Sequence, residues 1–261
     1  PDPLLAECAR QLAQAIRQEA PFQLHTAHLA HEFPSAAFFA KEPWLDVNMA
    51  YTYAASYLQV VQEYRREDPV RPIVLGETGY EDEPNAIELL PDAKRGDLWT
   101  PFRIRRNAYW SLLSGACGYC AGTRLWRYEN NWRRVLDAES TRQAGCIRRV
   151  FEPRPWWRLV PDLEHQTIIA GYGTWKGSDY VAAARADDGG LVMAYLPASP
   201  KLTVQMSALA GPVTAWWIDP TNGDETVVPN GPFANQGTRE FTSPGKNQKG
   251  EADWLLVLKA E

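Results

Sequence analysis

The sequence predicts two domains of different class, an α/β domain over residues 1–158 and an all-β domain over residues 159–261. In the first, apolar strand patterns alternate with amphipathic helix patterns, and this rhythm indicates a parallel sheet with right-handed crossovers. In the second, short alternating runs are separated by hairpin-type turns such as Asp187-Asp188-Gly189-Gly190, which is typical of an antiparallel β-sandwich. The α/β domain has four predicted strands, half the number in a (β/α)8 TIM barrel.

The composition is that of a globular protein with an excess of aromatic rings. Of 261 residues, 45% are hydrophobic and 23% are charged, which is ordinary for a globular protein. Eleven Trp and eleven Tyr are more than usual; such rings stack on sugar faces or fill cores. The net charge of −5 argues against nucleic acid or an anionic membrane as partner. No apolar stretch approaches the roughly 18 residues that span a bilayer.

The four cysteines do not suggest a metal site. Cys117 and Cys120 form a C-x-x-C pair, but no second Cys/His pair lies at zinc spacing. Both fall in a predicted strand, where positions three apart point to opposite faces. We expect these two, with Cys8 and Cys146, to be small buried residues, and we predict no metal and no cofactor.

Residues 3–20 form the first predicted helix, with Leu5, Cys8, Leu12 and Ile16 on its inward face. The first predicted strand follows at Gln23 to Leu29 and carries His28 near its end. A histidine there binds substrate or is a core residue bonded to backbone, and the pattern leaves both interpretations open.

The second predicted strand is Leu45 to Ala50, where Asp46 and Asn48 point the same way. Buried polar groups need partners, so these two either orient each other or meet a ligand. We interpret Asp46 as a residue that orients its neighbours rather than one that transfers a proton. An amphipathic helix over residues 53–67 follows.

The third predicted strand, Ile73 to Glu77, is an apolar run that ends in a carboxylate. Such a run reads as a strand buried on both faces. A carboxylate at the carboxyl end of this kind of strand lies where α/β barrels place their chemistry. The alternative is a Glu that caps the following turn or pairs with an arginine.

The last part of the α/β domain supplies a helix, a strand and an aromatic loop. The helix, residues 102–114, carries Arg103, Arg105 and Arg106, which indicate a solvated face rather than an anionic site. The fourth strand is Cys117 to Gly122, and Trp126 follows it. Trp126 stacks on a sugar or packs at the rim against the second domain.

Several segments resemble the apiosidase-like glycoside hydrolases and the collagen-binding type of β-sandwich that usually follows their barrel. These segments are Trp44-Leu45-Asp46-Val47-Asn48-Met49, Gly76-Glu77-Thr78-Gly79-Tyr80-Glu81-Asp82, Arg106-Asn107-Ala108-Tyr109-Trp110, Gly115-Ala116-Cys117-Gly118 and Trp217-Ile218-Asp219-Pro220-Thr221-Asn222-Gly223. The resemblance covers nearly the whole chain.

The resemblance implies a retaining glycosidase barrel, with the nucleophile at the end of strand seven and the acid/base at the end of strand four. Glu77 falls on the nucleophile position, and the predicted strands become strands five to eight. Two carboxyl groups about 5–5.5 Å apart are needed for this chemistry. His28, Asn48, Thr78 and Tyr80 are available as hydrogen-bond donors to the attacking group.

Two departures from the family pattern matter. The family's Gly-Gly-Asp strand, which supplies the acid/base, has no counterpart in this chain. After Met49 the family tends to show Gln-Ser-Gly-His, whereas this chain reads Ala50-Tyr51-Thr52-Tyr53, which alters the substrate pocket.

An open half barrel leaves an unpaired strand edge on each side. We therefore expect about 150 or more further residues upstream, or a second polypeptide, to supply strands one to four and the acid/base. Otherwise Glu32, Asp46, Glu81 or Asp82 must take the acid role.

The predicted activity is cleavage of a glycosidic bond in a plant or microbial polysaccharide, with Asp46 and Trp126 among the substrate contacts. The resemblance implies a secreted or periplasmic enzyme. The alternative is a non-catalytic scaffold whose sandwich binds glycan or matrix protein. Trp216 and Trp217 lie on opposite faces of one strand, so only one can be core. We expect the two domains to meet near residues 157–164 and to pack tightly there through Phe151, Trp156 and Trp157.

Overall fold

The computed structural model describes residues 3–130, 132–198 and 200–261. The helices are α1 (Pro3–Glu19), α2 (Ala36–Phe39), α3 (Ser56–Tyr64), α4 (Pro101–Leu113), α5 (Trp132–Val135) and α6 (Glu139–Phe151). The strands among them are β1 (Asn48–Tyr51), β2 (Ile73–Glu77), β3 (Tyr80–Glu81), β4 (Gly118–Tyr119) and β5 (Gly122–Thr123). Within the described ranges, no helix is both long and apolar enough to cross a membrane. This part of the chain is a mixed α/β structure.

A small parallel sheet organises the α/β part, with β2 between β1 and β4. Its pairing sets Asn48 beside Ile73 and Tyr51 beside Glu77. Ile73 and Leu75 are buried against β1 and α3, which explains the continuous apolar run in the sequence. Beyond the carboxyl end of this sheet, β3 and β5 form a second parallel pair.

The segment from Gln23 to Leu29 is not a β-strand, contrary to the prediction. Its backbone lies beside residues 45–47, where the N–H groups of Asp46 and Val47 both donate to the His25 carbonyl at 3.0 and 3.1 Å. Side chains make the other contacts: the Thr26 hydroxyl donates to the Val47 carbonyl at 2.7 Å. Polar side chains therefore occupy backbone groups that a strand ladder would use.

Helix α1 packs by a face that the sequence pattern did not predict. Ala6 and Ala13 are buried, and the small face lets α1 approach Phe39, Trp44 and Leu45 closely. The predicted inward residues are exposed instead, with Leu5 at 67%, Leu12 at 63% and Ile16 at 46%. An apolar stripe of α1 thus faces away from the described core.

The cysteine prediction was wrong for three of the four residues. Cys8, Cys117 and Cys120 are exposed, and only Cys146 is buried. The predicted fourth strand is divided into β4 and β5, so its cysteines do not lie within one continuous buried strand. Among the residues that the structure describes, no group of three or more His, Cys, Asp and Glu side chains could hold a metal.

The second half of the chain consists of two antiparallel sheets. The strands are β6 (Leu159–Pro161), β7 (Ile168–Ala170), β8 (Ala182–Ala186), β9 (Leu191–Leu196), β10 (Lys201–Gln205), β11 (Val213–Ile218), β12 (Glu225–Val227), β13 (Thr238–Thr242) and β14 (Trp254–Ala260). The larger sheet has the order β12-β11-β14-β9-β8-β6 and the smaller one β13-β10-β7. Their facing sides share an apolar core that includes Trp217, Leu202 and Phe241. Trp216 is partly exposed and Trp217 is 4% exposed, so only one of the pair is core, as predicted.

The other face of the larger sheet packs on helices α4 and α6. Tyr195 of β9 stacks on Tyr109 of α4 at 4.7 Å between ring centroids, and Phe151 of α6 belongs to the same core. The sheet is therefore buried on both sides, which explains why β9 is apolar at every position. Trp157 is 69% exposed, so it does not contribute the packing that we predicted for it.

A buried ion pair joins the two halves. Arg105 of α4 donates to both carboxylate oxygens of Asp253 at 2.8 Å, and the Tyr195 hydroxyl donates to the same carboxylate at 2.7 Å. Arg106 is also buried and pairs with both oxygens of Asp92. Arg105 and Arg106 thus form buried ion pairs, and the prediction that they lie on a solvated helix face was wrong.

Candidate active site

Glu77 is the last residue of β2 and lies at the carboxyl end of the parallel sheet. Its side chain is 14% exposed and lines a cleft. The preceding Gly76 leaves room for Met49 of the neighbouring strand, since a Cβ on Gly76 would lie 2.7 Å from the Met49 sulfur. The apolar residues of β2 therefore fix the strand in the core while its last side chain reaches the surface.

Three side chains converge on the Glu77 carboxylate. His28 Nε2 lies 2.8 Å from Glu77 Oε2. The Tyr51 and Tyr80 hydroxyls also face this carboxylate, which contributes to the raised pKa of both phenols. The Tyr53 hydroxyl lies 2.9 Å from that of Tyr51 and continues the network. A carboxylate surrounded by donors in this way is held in one orientation.

The two phenols are donors across the neutral pH range. Burial raises the pKa of Tyr51, and the Tyr53 hydroxyl and the Glu77 carboxylate raise it further. Burial also raises the pKa of Tyr80, together with its hydrogen bond to Glu77. Because a free tyrosine ionises only near pH 10, both hydroxyls keep their protons at neutral pH.

Asp46 does not line the cleft but holds the segment that carries His28. Its carboxylate accepts a hydrogen bond from the His25 backbone N–H at 2.9 Å. It also forms an ion pair with the Arg17 guanidinium at 2.7 Å. The pKa of Asp46 is lowered by the His25 N–H and, against the opposing effect of burial, by Arg17. This geometry matches the interpretation that Asp46 orients its neighbours.

Asn48 lies at the opposite end of the sheet from Glu77. In the parallel register it pairs with Ile73, four residues before Glu77, which is roughly 13 Å along a strand. Its amide donates to Glu63 at 2.8 Å and its carbonyl oxygen accepts from the Ala36 N–H at 2.9 Å. The structure therefore does not bring Asn48 to the cleft.

Tyr51 and Tyr53 were missed as site residues in the sequence. Tyr51 is the residue of β1 that pairs with Glu77, after a register shift between Ala50 and Tyr51. The sequence did contain a signal, since Ala50-Tyr51-Thr52-Tyr53 stands where the family tends to show Gln-Ser-Gly-His. That Tyr51 lies beside Glu77 could be seen only from the register of β1 on β2.

The cleft beside Glu77 has a volume of about 490 Å³. It is lined by Tyr53, Glu77, Tyr80, Glu83, Pro84, Ala86, Trp99, Trp126 and Arg127. Aromatic rings with a few polar groups among them are the usual lining of a site for a small organic ligand.

Two tryptophans give the cleft its shape. Trp99 is buried and its ring rests on the backbone of Gly79, where a Cβ would lie 1.8 Å from Trp99 Cδ2. Trp126 is 57% exposed, and the Arg127 guanidinium lies 5.0 Å from its ring centroid. Arg127 is itself fixed by two hydrogen bonds of 2.7 Å to Glu83, so a charged pair covers part of the Trp126 ring.

The carboxylates named from the sequence as alternative acids have other partners or, in the case of Asp82, do not line the cleft. Glu81 accepts a hydrogen bond from the Ser140 N–H at the start of α6, at 2.7 Å. Glu32 accepts from the Thr52 hydroxyl at 2.7 Å and from the Tyr53 N–H at 2.8 Å. Asp82 has a left-handed backbone with φ of 64°. In the cleft itself, both oxygens of Glu83 are engaged by Arg127.

Comparison with known structures shows a glycoside hydrolase fold. A solved structure described as "Glycoside hydrolase" has a TM-score of 0.81 at 22% identity; the match covers 96% of this chain and 60% of that one. A glycoside hydrolase family 5 protein from Bacteroides vulgatus ATCC 8482 has a TM-score of 0.80 at 22% identity, covering 96% and 58%. The chain thus spans about three fifths of the length of these structures, and at this identity the likeness shows the fold alone.

The family comparison divides the chain at the same place as the change in secondary structure. Residues 2–158 match the family model "Apiosidase-like, catalytic domain", and residues 160–259 match "Putative collagen-binding domain of a collagenase". No curated protein matches the chain at the sequence level. The first match covers more than half of the chain, and the chain therefore belongs to the apiosidase-like glycoside hydrolase family.

Proposed function

We propose that this chain carries the nucleophile side of a retaining glycoside hydrolase active site, with Glu77 as the nucleophile. The observation that carries the proposal is the convergence of His28, Tyr51 and Tyr80 on one carboxylate at the end of β2. That carboxylate opens into an aromatic cleft, where a sugar ring can be held beside it.

In the proposed reaction, a Glu77 oxygen attacks the anomeric carbon while a carboxylic acid protonates the departing glycosidic oxygen. The resulting glycosyl-enzyme is hydrolysed by water, with the same acid residue now acting as base, so the anomeric configuration is retained. His28, Tyr51 and Tyr80 fix the orientation of the carboxylate before attack. Orientation of this kind contributes to the rate because the reacting atoms start close to the reactive geometry.

The substrate we propose is a carbohydrate of a plant or microbial polysaccharide, bound against Trp126. One part of the Trp126 ring is covered by Arg127, and the remaining exposed surface lies in the cleft. A sugar face can stack there. Tyr51 and Tyr53 replace smaller or more polar residues of the family pattern, so this sugar subsite is narrower and more aromatic near Glu77.

We propose that the acid/base comes from a further segment of protein, upstream or on a second polypeptide. Among the described carboxylates, Glu32, Asp46, Glu81 and Glu83 have hydrogen-bond or ion-pair partners. Asp82 is not among the residues that line the cleft. We therefore assign the acid role to a group outside these five.

Two uncovered surfaces support the proposal of a docked segment. On one flank, the apolar stripe of α1 is exposed together with Phe22 at 94%. On the other flank, β4 is an edge strand beside an apolar groove of about 300 Å³ that includes Leu112, Phe151 and Trp156. Exposed apolar surface and an unpaired edge together favour a protein partner. We infer that strands one to four of a (β/α)8 barrel occupy both flanks, with β1, β2 and β4 as strands six to eight.

In this proposal, residues 1–158 are the C-terminal half of the barrel domain and residues 159–261 a β-sandwich accessory domain. The buried pair of Arg105 and Asp253 supports a sandwich that is fixed to the barrel rather than flexibly tethered.

The test is the substitution Glu77→Gln in the form of the protein that hydrolyses glycosides. The variant should keep the fold and lose turnover of an activated aryl glycoside, and NMR of the wild-type product should show retained anomeric configuration. Glu164→Gln is the matched control, since Glu164 is exposed and pairs only at the surface with Arg65. Residual activity above a few per cent of the wild-type rate would remove Glu77 from this role.

A second candidate function is glycan binding by the sandwich, without catalysis. It is favoured by Trp216, which lines a cleft of about 310 Å³ with Arg154, Glu225 and Lys259. Retention of the protein on immobilised polysaccharide should then be lost in Trp216→Ala and kept in Trp157→Ala. If neither substitution changes retention, the sandwich is a structural support.

A further inference from the structure

Gly122 lies directly under the ring of Tyr80. The two residues are opposite each other in the parallel pair of β3 and β5. A Cβ placed on Gly122 would lie 1.9 Å from Tyr80 Cδ1 and 2.0 Å from Tyr80 Cε1. No real Cβ makes contacts this short, so any side chain at position 122 must displace the ring.

The backbone itself does not require glycine at this position. Several glycines of the chain adopt a left-handed conformation, but Gly122 is not among them. An alanine would therefore fit the local backbone. The three atoms nearest to a Cβ at position 122 all belong to Tyr80, so the requirement for glycine there comes from this ring.

Tyr80 connects this contact to the proposed nucleophile. Its ring lines the same cleft as Glu77, and the Glu77 carboxylate acts on its hydroxyl, whose pKa it helps to raise. A ring pushed away from Gly122 would carry the hydroxyl with it, because a tyrosine ring is rigid. The carboxylate would then keep His28 and Tyr51 and lose one of its three partners.

We propose that Gly122 is a positioning residue for Glu77, since the missing side chain lets Tyr80 lie on β5 with its hydroxyl at the carboxylate. This inference rests on the proposed function of Glu77. It adds a residue that touches neither the substrate nor the nucleophile.

The experiment compares Gly122→Ala with Gly211→Ala in the active form of the enzyme. Gly211 lies before β11 in the all-β half, and its Cβ would meet only the Glu261 carbonyl oxygen at an ordinary 3.5 Å. Losing a hydrogen bond to a charged group corresponds to roughly a 10- to 100-fold loss of rate. We expect this loss in kcat for Gly122→Ala, with little change in KM, and a near wild-type rate for Gly211→Ala.

Tyr80→Phe tests whether Gly122 acts through the Tyr80 hydroxyl. If it does, the double variant Gly122→Ala/Tyr80→Phe should be no slower than either single variant. Equal rates for Gly122→Ala and Gly211→Ala, or additive losses in the double variant, would overturn the inference.

A second measurement does not depend on activity and separates this inference from the proposed function. Displacement of Tyr80 should let one more tyrosine ionise near pH 10 in an ultraviolet titration of Gly122→Ala, and not in Gly211→Ala. If Gly122→Ala fails to fold, Gly122→Ala/Tyr80→Ala should restore the fold by removing the clash. If the double variant also fails to fold, or if the tyrosine titration of Gly122→Ala is the same as that of the wild type, the proposed contact between position 122 and the Tyr80 ring is wrong. Activity that persists in Glu77→Gln contradicts the nucleophile instead.

Discussion

His28 Nε2 lies 2.8 Å from Glu77 Oε2, although His28 comes from an irregular segment and Glu77 from a buried strand. The His28 ring also packs on Tyr51 with ring centroids 5.0 Å apart. The position of the histidine is thus set by a tyrosine of β1 and by the backbone contacts of residues 21–29. A network of side chains, and not a strand ladder, brings the two residues together.

Replacing His28 by alanine should lower kcat by about 10- to 100-fold, because a hydrogen bond to the charged Glu77 is lost. The measurement is steady-state kinetics on an activated aryl glycoside. His165→Ala is the control, since His165 stacks on Tyr172 of the all-β half. A full rate in His28→Ala would show that the contact with Glu77 has no role in turnover.

Asp46→Asn should destabilise the protein in a pH-dependent way. The pKa of Asp46 is lowered in the folded state, first by the His25 N–H and also by Arg17. A lowered pKa contributes stability above the unfolded value of about 3.9, and this contribution is lost as the pH falls through the folded value. We expect a difference of about 1 kcal/mol at pH 7, measured by urea unfolding, that shrinks below pH 4. A difference that grows at acid pH would contradict this role.

Trp126→Ala should raise KM by up to about 10-fold with little change in kcat, because stacking on an aromatic ring contributes about 0.5–1.5 kcal/mol. The variant tests whether the exposed ring binds substrate or packs at the rim. Trp157→Ala is the matched control, as an exposed tryptophan outside the cleft. Equal KM values for both variants and the wild type would favour rim packing.

Arg105→Met should cost about 3–5 kcal/mol of stability, because it leaves the buried Asp253 carboxylate without its cation. Arg148→Met is the control, since the pair of Arg148 and Glu152 lies on the surface and contributes less than about 1 kcal/mol. Urea unfolding followed by fluorescence measures both. Similar losses in the two variants would mean that the junction is not held by this ion pair.

The sequence was informative where one residue's environment depends on its neighbours in the chain. The apolar run before Glu77 predicted a buried strand with a carboxylate at its end, and β2 ends at Glu77. Adjacent Trp216 and Trp217 had to face opposite sides of a strand, and they do. Helix α4 begins with Pro101 after Thr100, whose hydroxyl accepts from the Arg103 N–H, a start signal visible in the sequence.

The sequence was less informative where burial depends on distant partners. Periodicity predicted an inward face of α1 with Leu5, Leu12 and Ile16, and only the packing on Phe39 and Trp44 shows that the face with Ala13 is inside. The sequence pattern predicted Arg105 to be a surface residue. In the structure it is buried because it pairs with Asp253, which lies far along the chain. Tyr51 reaches Glu77 only through the register of β1 on β2. None of these partners can be identified from local spacing.

The most direct measurement is to trap the glycosyl-enzyme of the active form with an activated 2-deoxy-2-fluoroglycoside and to map the label by peptide mass spectrometry. We predict one label per protein, on the peptide that contains Glu77, and no label in Glu77→Gln. A label on another carboxylate, or a product with inverted anomeric configuration, would contradict the assignment of Glu77 as the nucleophile.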